Sequence, residues 1–254
     1  MTKAPLIPGR NMSSLTGCIA TMTRRTLVAT LFLSLGWLAL PSWADDWPAP
    51  HPVSFHSRGF VYVAEIFPPQ SRQNPSDKPV GYFYEMGYPG GVWDIAPTLK
   101  WTAELINKEM PYEAVVSMDG RLVTLNEWAN VGFQNAVVIY DLSGQLVKSY
   151  DLDSLLPKED TNTVEHSRSS RYWNRAARYY FLREPARLYI LLSWQKVLEF
   201  SLEDGKFHYG NIDNFPGLAA LVGKQSVNEE AEVWATSLRF SSITDVVKAK
   251  AHQE

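Results

Sequence analysis

Short apolar segments separated by polar turns dominate the chain after its first 45 residues. GFVYVAEIF (59–67), VGYFYEMGY (80–88) and RLYILLSW (187–194) are rich in β-branched and aromatic residues. Segments of this length and composition are typical of β-strands. KWTAELIN (100–107) fits either a strand or a short helix, and EVWATSLRF (232–240) is predicted as a further strand. The pattern therefore predicts an all-β domain.

The clearest local element is a β-hairpin within NAVVIYDLSGQLVKSYDL (135–152). Strands are predicted over 136–140 and 146–150, and the sequence DLSG between them forms the turn. Serine and glycine supply the backbone geometry that such a reversal needs. One strand earlier, SMDGRLVTLNEW (117–128) places an Asp-Gly turn before a strand predicted over 122–125.

A second copy of this layout follows downstream. KVLEFSLEDGKFHYG (196–210) again has an apolar strand, a polar turn with glycine and an outgoing strand, which makes Gly205 the counterpart of Gly144. The separation of the two glycines fits a propeller blade with a long loop, and 59–107 is a candidate for an earlier unit. These three units are fewer than the blades of a closed propeller, which number about four to eight. An incomplete, non-closed propeller and a stacked-sheet arrangement both remain open.

Three segments carry a family resemblance. SMDGRLVTLNEW, VVIYDLSGQLVKSYDLDSLLP and HSRSSRYW resemble segments of uncharacterised exported bacterial proteins with antiparallel propeller-like β-repeats, over about the central half of the chain. The resemblance implies a fold and a location, and it implies no activity. The predicted organisation is an extended lead-in over 45–53, a propeller-like β domain over 54–240 with short helices near its end, and a C-terminal tail or short helix over 241–254.

The first 44 residues have the order of a secretory signal peptide. Two arginines precede the apolar run LVATLFLSLGWLAL (27–40), which is followed by PSWA ending at Ala44. This order predicts cleavage near Ala44, a true start at either Met1 or Met22, and a periplasmic or secreted product. The run is too short to span a bilayer comfortably, so no transmembrane segment is expected in the mature chain. TRRTL also resembles a twin-arginine signal, which leaves the export route open.

Composition excludes several partners. The chain has 24 basic and 27 acidic residues, a balance that argues against nucleic acid because binding phosphates needs an excess of Lys and Arg. Cys18, the only cysteine, lies in the predicted signal peptide. The mature chain would therefore have no disulfide or thiolate metal site. The five histidines show no H-x-x-x-H spacing, and no phosphate loop or dinucleotide fingerprint occurs, so no metal or cofactor is predicted.

The stretch EHSRSSRYWN (165–174) is the main candidate for chemistry. A histidine beside serines suggests nucleophilic catalysis, but adjacent residues rarely reach the required geometry, and no G-x-S-x-G elbow is present. The alternative is that these serines satisfy backbone groups at the entry to a strand while His166 packs beside them.

The arginines of this region suggest anion binding. Arg168, Arg171, Arg175 and Arg178 are spaced three, four and three apart, so they would share one face if the segment were a helix. Guanidinium groups suit carboxylates or phosphates. The alternative is a solvated charged face or a set of internal ion pairs.

A loop near residue 130 supplies the remaining candidates. Asn126, Glu127 and Trp128 precede a long connection between paired strands, where binding residues often lie. Trp128 and Trp173 are candidates for a stacking surface for a sugar, or else they fill gaps between sheets.

The sequence thus favours a binding or scaffolding module of the cell envelope over an enzyme, with an anionic small molecule, a glycan or an envelope protein as partner. The rival hypothesis is an envelope hydrolase that acts on a glycan or other polar substrate through loop carboxylates. The candidate ligand-binding residues are His166, Arg168, Arg171, Trp173, Arg175, Asn126, Glu127 and Trp128.

Overall fold

The structure of the protein is a computed structural model that describes residues 47–71, 74, 76–87, 96–218 and 231–234. The chain divides into two compact units, Met1–Ala44 and Asp45–Glu254, and every described residue belongs to the second unit. The predicted signal peptide and the predicted C-terminal tail or helix lie outside the described residues.

The described residues form three antiparallel sheets, which confirms the prediction of an all-β fold. The first sheet has the order β1-β2-β3-β4, with a 3-10 turn at Arg58–Phe60 between its first two strands. Its strands are β1 (Val53–His56), β2 (Tyr62–Phe67), β3 (Val80–Gly87) and β4 (Ala96–Glu104). The segment 100–107, which sequence left open between strand and helix, lies in β4 over most of its length.

The second sheet contains the predicted hairpin. Its order is β5-β6-β7-β8, and its strands are β5 (Pro111–Val116), β6 (Leu122–Glu127), β7 (Val137–Tyr140) and β8 (Leu146–Tyr150). Strands β7 and β8 pair across the turn as predicted, and the Asp141 side chain caps the turn by accepting from the backbone N–H groups of Ser143 and Gln145. Two short helices follow, α1 (Leu152–Leu155) and α2 (Lys158–Thr161).

The third sheet has the order β12-β11-β10-β9-β13. Its strands are β9 (Arg178–Leu182), β10 (Arg187–Leu191), β11 (Lys196–Ser201), β12 (Phe207–Asn211) and β13 (Ala231–Trp234), with a 3-10 turn at Ile212–Asn214 after β12. The strand predicted over 232–240 is thus observed as β13, and residues 235–240 lie outside the described part of the chain. The hairpin β11–β12 confirms the second predicted hairpin.

A glycine in the last hairpin turn of the second sheet, and another at the same place in the third sheet, each pack closely against the preceding sheet. Gly144 lies in the turn between β7 and β8 with φ +83°, and a Cβ atom there would lie 2.6 Å from the Trp101 ring of β4. Gly205 lies in the turn between β11 and β12 with φ +70°, and a Cβ atom there would lie 2.5 Å from Lys148 of β8. In both cases the turn of one sheet approaches the fourth strand of the preceding sheet so closely that only glycine fits.

Two apolar clusters fill the spaces between the sheets. One joins the first two sheets and includes Phe55, Phe83 and Tyr140, and another joins the second and third sheets and includes Leu125, Trp173 and Phe200. All six of these side chains are almost completely buried. Each large apolar side chain buried in this way contributes about 1.5–3 kcal/mol.

The lead-in before β1 has no regular secondary structure over 47–52 and is fixed to the second sheet. Trp47 packs edge-on against Tyr112 and Trp128, with ring centroids 5.3 and 5.9 Å apart. The indole Nε1 of Trp128 donates to the Pro48 carbonyl at 3.0 Å. Trp128 therefore anchors the beginning of the β domain.

Candidate functional site

The segment 165–174 forms a tight hairpin-like loop. The backbone N–H of Tyr172 donates to the Glu165 carbonyl, the Ser167 N–H donates to the Ser170 carbonyl, and His166 pairs with Arg171 in an isolated bridge. Residues 168–177 contain no helix, and Arg178 begins β9. The condition for a shared face of the four arginines, a helix over this segment, is therefore not met.

Arg171 clamps this loop onto the loop that connects β6 and β7. Its backbone N–H donates to the Val131 carbonyl at 2.8 Å. Its guanidinium donates to both carboxylate oxygens of Asp153, at 2.5 and 3.3 Å, and lies 4.3 Å from the centroid of the Phe133 ring. A bidentate ion pair and a cation–π contact position this side chain within the fold.

Trp173 and Asn126 form the buried end of the loop. Trp173 is completely buried, and its Nε1 donates to Asn126 Oδ1 at 2.6 Å. The same oxygen accepts the backbone N–H of Gly132, and Asn126 Nδ2 donates to Asn174 Oδ1 at 3.1 Å. Asn126 has φ +62°, a conformation that asparagine tolerates better than most residues. Both side chains thus serve to hold the loop in place.

Glu127 and Trp128 are also buried, each 4% exposed. The Glu127 carboxylate accepts from the backbone N–H groups of Lys108 and Glu109. It also accepts from the side-chain amides of Asn107 and Asn135. Trp128 and Trp173 are both buried between elements of the fold, which agrees with the alternative that they fill gaps between sheets and leaves no sugar-stacking surface on them.

A cleft of about 530 Å³ opens beside the 165–174 loop. Strand β5, the β6–β7 loop and the segment 165–176 form its walls. Its described lining consists of Tyr112, Glu113, Val131, Glu165, Tyr172, Asn174, Arg175 and Ala176. Of the candidates from the sequence, Arg175 reaches this lining, whereas the exposed residues His166 and Arg168 do not belong to it.

A hydrogen-bonded triangle holds the polar wall of the cleft: Glu113 and Asn174 belong to the described lining, and Tyr179 is buried outside it. Asn174 Nδ2 donates to Glu113 Oε2 at 2.7 Å and to the Tyr179 hydroxyl at 2.9 Å. The Tyr179 hydroxyl in turn donates to Glu113 Oε2 at 3.3 Å. Since Asn174 also bonds Asn126, the wall is connected to the buried Trp173.

The Tyr179 phenol is a permanent donor in this wall. Burial raises the pKa of Tyr179 well above its usual value, and the adjacent Glu113 carboxylate raises it further. The phenol therefore keeps its proton throughout the physiological range, and one oxygen of Glu113 is held in a fixed position by two neutral donors.

The opposite side of the cleft carries an exposed ion pair. Arg175 Nη1 lies 2.7 Å from Glu165 Oε2, and the two side chains are 70% and 66% exposed. An exposed pair of this kind contributes about 0–1 kcal/mol to stability. Its donors and acceptors can therefore be shared with a ligand at little cost to the fold.

Ala176, beside this pair, has a strained backbone. Its φ of +59° lies in the left-handed region, which is uncommon for alanine. Such conformations concentrate at binding and active sites, where the surrounding structure holds them in place. The same region of φ is occupied by Phe60, Ala129 and Gln195 outside the described lining, so this conformation by itself locates no site.

Sequence reasoning missed most of the cleft wall. Glu113 is a single carboxylate between apolar neighbours in the strand PYEAVV. This position is the one signal in the sequence that could have indicated a functional role for Glu113. Tyr172 lies within the stretch EHSRSSRYWN but was passed over in favour of the arginines. Val131, Tyr112 and Ala176 carry no chemical signature that sequence alone would reveal.

Further features bear on the kind of site. Among the described residues, no group of three or more His, Cys, Asp or Glu side chains is placed to hold a metal ion. In the same part of the chain, no helix is long and apolar enough to cross a membrane. No protein-family model, curated protein or solved structure matches the chain.

Proposed function

We propose that the protein is an exported binding module of the cell envelope that holds a small polar ligand in the cleft beside the 165–176 segment. The observation that carries this proposal is the convergence of Glu113, Asn174, Glu165 and Arg175 on one cleft whose volume is typical of small-molecule sites. The three antiparallel sheets supply a rigid scaffold for the loops that form the cleft.

The charges of the cleft favour an uncharged polar ligand over an anion. Arg175 pairs with Glu165, and Arg171, which belongs to the adjoining loop, pairs with Asp153. Two carboxylates and one guanidinium belong to the described lining. An anion would have to compete with these carboxylates, whereas neutral hydroxyl or amide groups can both donate to them and accept from the arginine.

Binding is better supported than hydrolysis. A general acid or base needs a carboxylate that can reach the reacting atom and exchange its proton. Glu113 Oε2 is tied to Asn174 and Tyr179, and Glu165 Oε2 is tied to Arg175. Carboxylates held in this way are suited to orient a ligand.

Export is part of the proposal, and the order of the first 44 residues supports it. We expect the protein purified from the periplasm or the culture medium of a bacterial host to begin at Asp45. Amino-terminal sequencing checks this directly. A product that retains residues 27–40 and stays with the membrane fraction would contradict the expected processing.

Ligand binding is tested by thermal unfolding against a panel of neutral, anionic and cationic polar metabolites. A ligand at about 100 times its Kd stabilises the protein by about 2.7 kcal/mol, which corresponds to a Tm increase of about 5 °C or more at this chain length. We expect Arg175→Ala to lose most of this increase, because it removes a cleft donor. Arg168→Ala is the matched control, since it removes another exposed arginine of the same loop that lies outside the described lining. Equal shifts in both variants would place the ligand elsewhere.

A further inference from the structure

We infer that the ligand of this cleft is a neutral saccharide, with a sugar ring against the tyrosine side chains and its hydroxyls on the Glu113 and Glu165–Arg175 walls. This inference rests on the proposed function and specifies its ligand class. It follows from the combination of aromatic rings with carboxylate and guanidinium groups in one cleft.

Two tyrosines provide the apolar part of the site. Tyr112 and Tyr172 both line the cleft and are both partly buried. Tyr112 is held in place by Trp47 and Trp128, whose ring centroids lie 5.3 and 6.0 Å from its own. A rigid aromatic ring offers dispersion contacts to the C–H face of a pyranose, and its hydroxyl offers a hydrogen bond at the edge.

The carboxylate and guanidinium groups of the cleft suit pairs of neighbouring hydroxyls on a sugar. A carboxylate has two acceptor oxygens and a guanidinium has parallel donors, so each can bind two adjacent groups of a ligand at once. Glu165 and Arg175 lie side by side and largely exposed, with 2.7 Å between Oε2 and Nη1. A sugar presents pairs of vicinal hydroxyls that both donate and accept, and such pairs can bridge this ion pair without breaking it.

The second polar wall is preorganised. Glu113 Oε2 is fixed by Asn174 at 2.7 Å and by Tyr179 at 3.3 Å, and both donors are neutral. Asn174 is itself fixed by Asn126, which is bonded to the buried Trp173. A wall that does not rearrange on binding reduces the entropy cost of holding a flexible polar ligand.

The test is an equilibrium titration of the purified protein with matched compounds. The neutral probes are cellobiose, maltose, lactose and N,N′-diacetylchitobiose. Glucuronate and glucosamine provide an anionic and a cationic sugar, and sorbitol provides the hydroxyls without a ring. We expect saturable binding of at least one neutral disaccharide, with glucuronate, glucosamine and sorbitol at least about tenfold weaker.

Two substitutions of Tyr172 separate the contribution of its aromatic ring to binding from that of its hydroxyl. Tyr172→Ala is expected to weaken binding of the disaccharide about tenfold or more, whereas Tyr172→Phe, which keeps the ring, should change it by less than about threefold. Tyr82→Ala is the control, because Tyr82 is a half-buried tyrosine on β3 outside the described lining. It should leave the Kd unchanged. Thermal unfolding of each variant verifies that it is folded.

The outcomes distinguish the inference from the proposed function. Cleft-dependent binding of only charged or acyclic compounds would overturn the saccharide inference and leave a small-ligand site intact. Binding that is equal in Tyr172→Ala, Arg175→Ala and the wild-type protein would overturn both. If none of the neutral disaccharides binds, the saccharide inference is wrong.

Discussion

Replacing Gly132 by alanine is expected to destabilise the protein by about 3 kcal/mol. Gly132 has φ +72°, and a Cβ atom there would lie 2.4 Å from the Arg171 carbonyl oxygen and 2.9 Å from Arg171 Cβ. The left-handed conformation alone costs a non-glycine residue about 1–2 kcal/mol, and overpacking against backbone adds about 1–3 kcal/mol. Chemical denaturation of Gly132→Ala measures the change in the free energy of unfolding.

Gly59→Ala is a matched control for this experiment. Gly59 has a similar φ of +66°, but a Cβ atom there would have no neighbour within 4 Å. Its substitution should therefore cost only the conformational part, about 1–2 kcal/mol. If the two variants lose equal stability, the close approach between the β6–β7 loop and the Arg171 segment does not exist as described.

Replacing Trp173 by alanine is expected to cost about 3–5 kcal/mol, the range for deleting a large buried aromatic side chain. Trp173 is completely buried in the cluster that joins the second and third sheets. It also donates to Asn126 Oδ1. The loss should therefore reduce both the cooperativity of unfolding and any binding in the cleft, because the Asn126–Asn174 wall loses its support.

Trp173→Phe isolates the hydrogen bond from most of the packing. It retains an aromatic ring but leaves Asn126 Oδ1 with the backbone N–H of Gly132 as its described partner. We expect an intermediate cost, about 1–3 kcal/mol. Denaturation midpoints and their slopes, compared across the wild-type protein and both variants, check the ranking. If Trp173→Ala is no less stable than the wild-type protein, Trp173 is not a buried core residue.

The strands were predictable where the information is local. The β7–β8 hairpin follows from its own turn, since Asp141 caps the reversal and Gly144 adopts φ +83°. The β11–β12 hairpin follows in the same way from its glycine turn. Strand β5 was missed because Glu113 interrupts its apolar pattern, and the partners of that carboxylate lie far along the chain.

The segment that carries the arginines does not form a helix, for a physical reason. The spacing of Arg168, Arg171 and Arg175 fits a helix, but the backbone of Arg171 bonds to Val131 in another loop. The hydrogen bond to Val131 and the ion pair with Asp153 stabilise the loop conformation of this segment. A helix with the same arginine spacing would have no apolar face to stabilise it by packing.

The cleft itself was largely beyond sequence reasoning because its contacts are non-local. Glu113 and Asn174 are separated by 61 positions yet form a hydrogen bond of 2.7 Å. From the sequence alone, the segment 165–174 could be predicted as a candidate surface, but the residues that complete the cleft could not. Trp128 and Trp173 are buried and hold neighbouring elements in place, whereas Tyr112 and Tyr172 line the cleft.

The central claim is that a small polar ligand occupies the cleft, and thiol protection tests it most directly. The only native cysteine, Cys18, lies in the predicted signal peptide, so the mature protein allows a single reporter, Ala176→Cys, on the cleft wall. We predict that a neutral disaccharide at about ten times its Kd slows alkylation of this thiol about tenfold, because occupancy leaves roughly a tenth of the sites open. A cysteine at position 168, outside the described lining, should react at an unchanged rate. Equal alkylation of Ala176→Cys with and without every neutral, anionic and cationic compound tested would contradict the account.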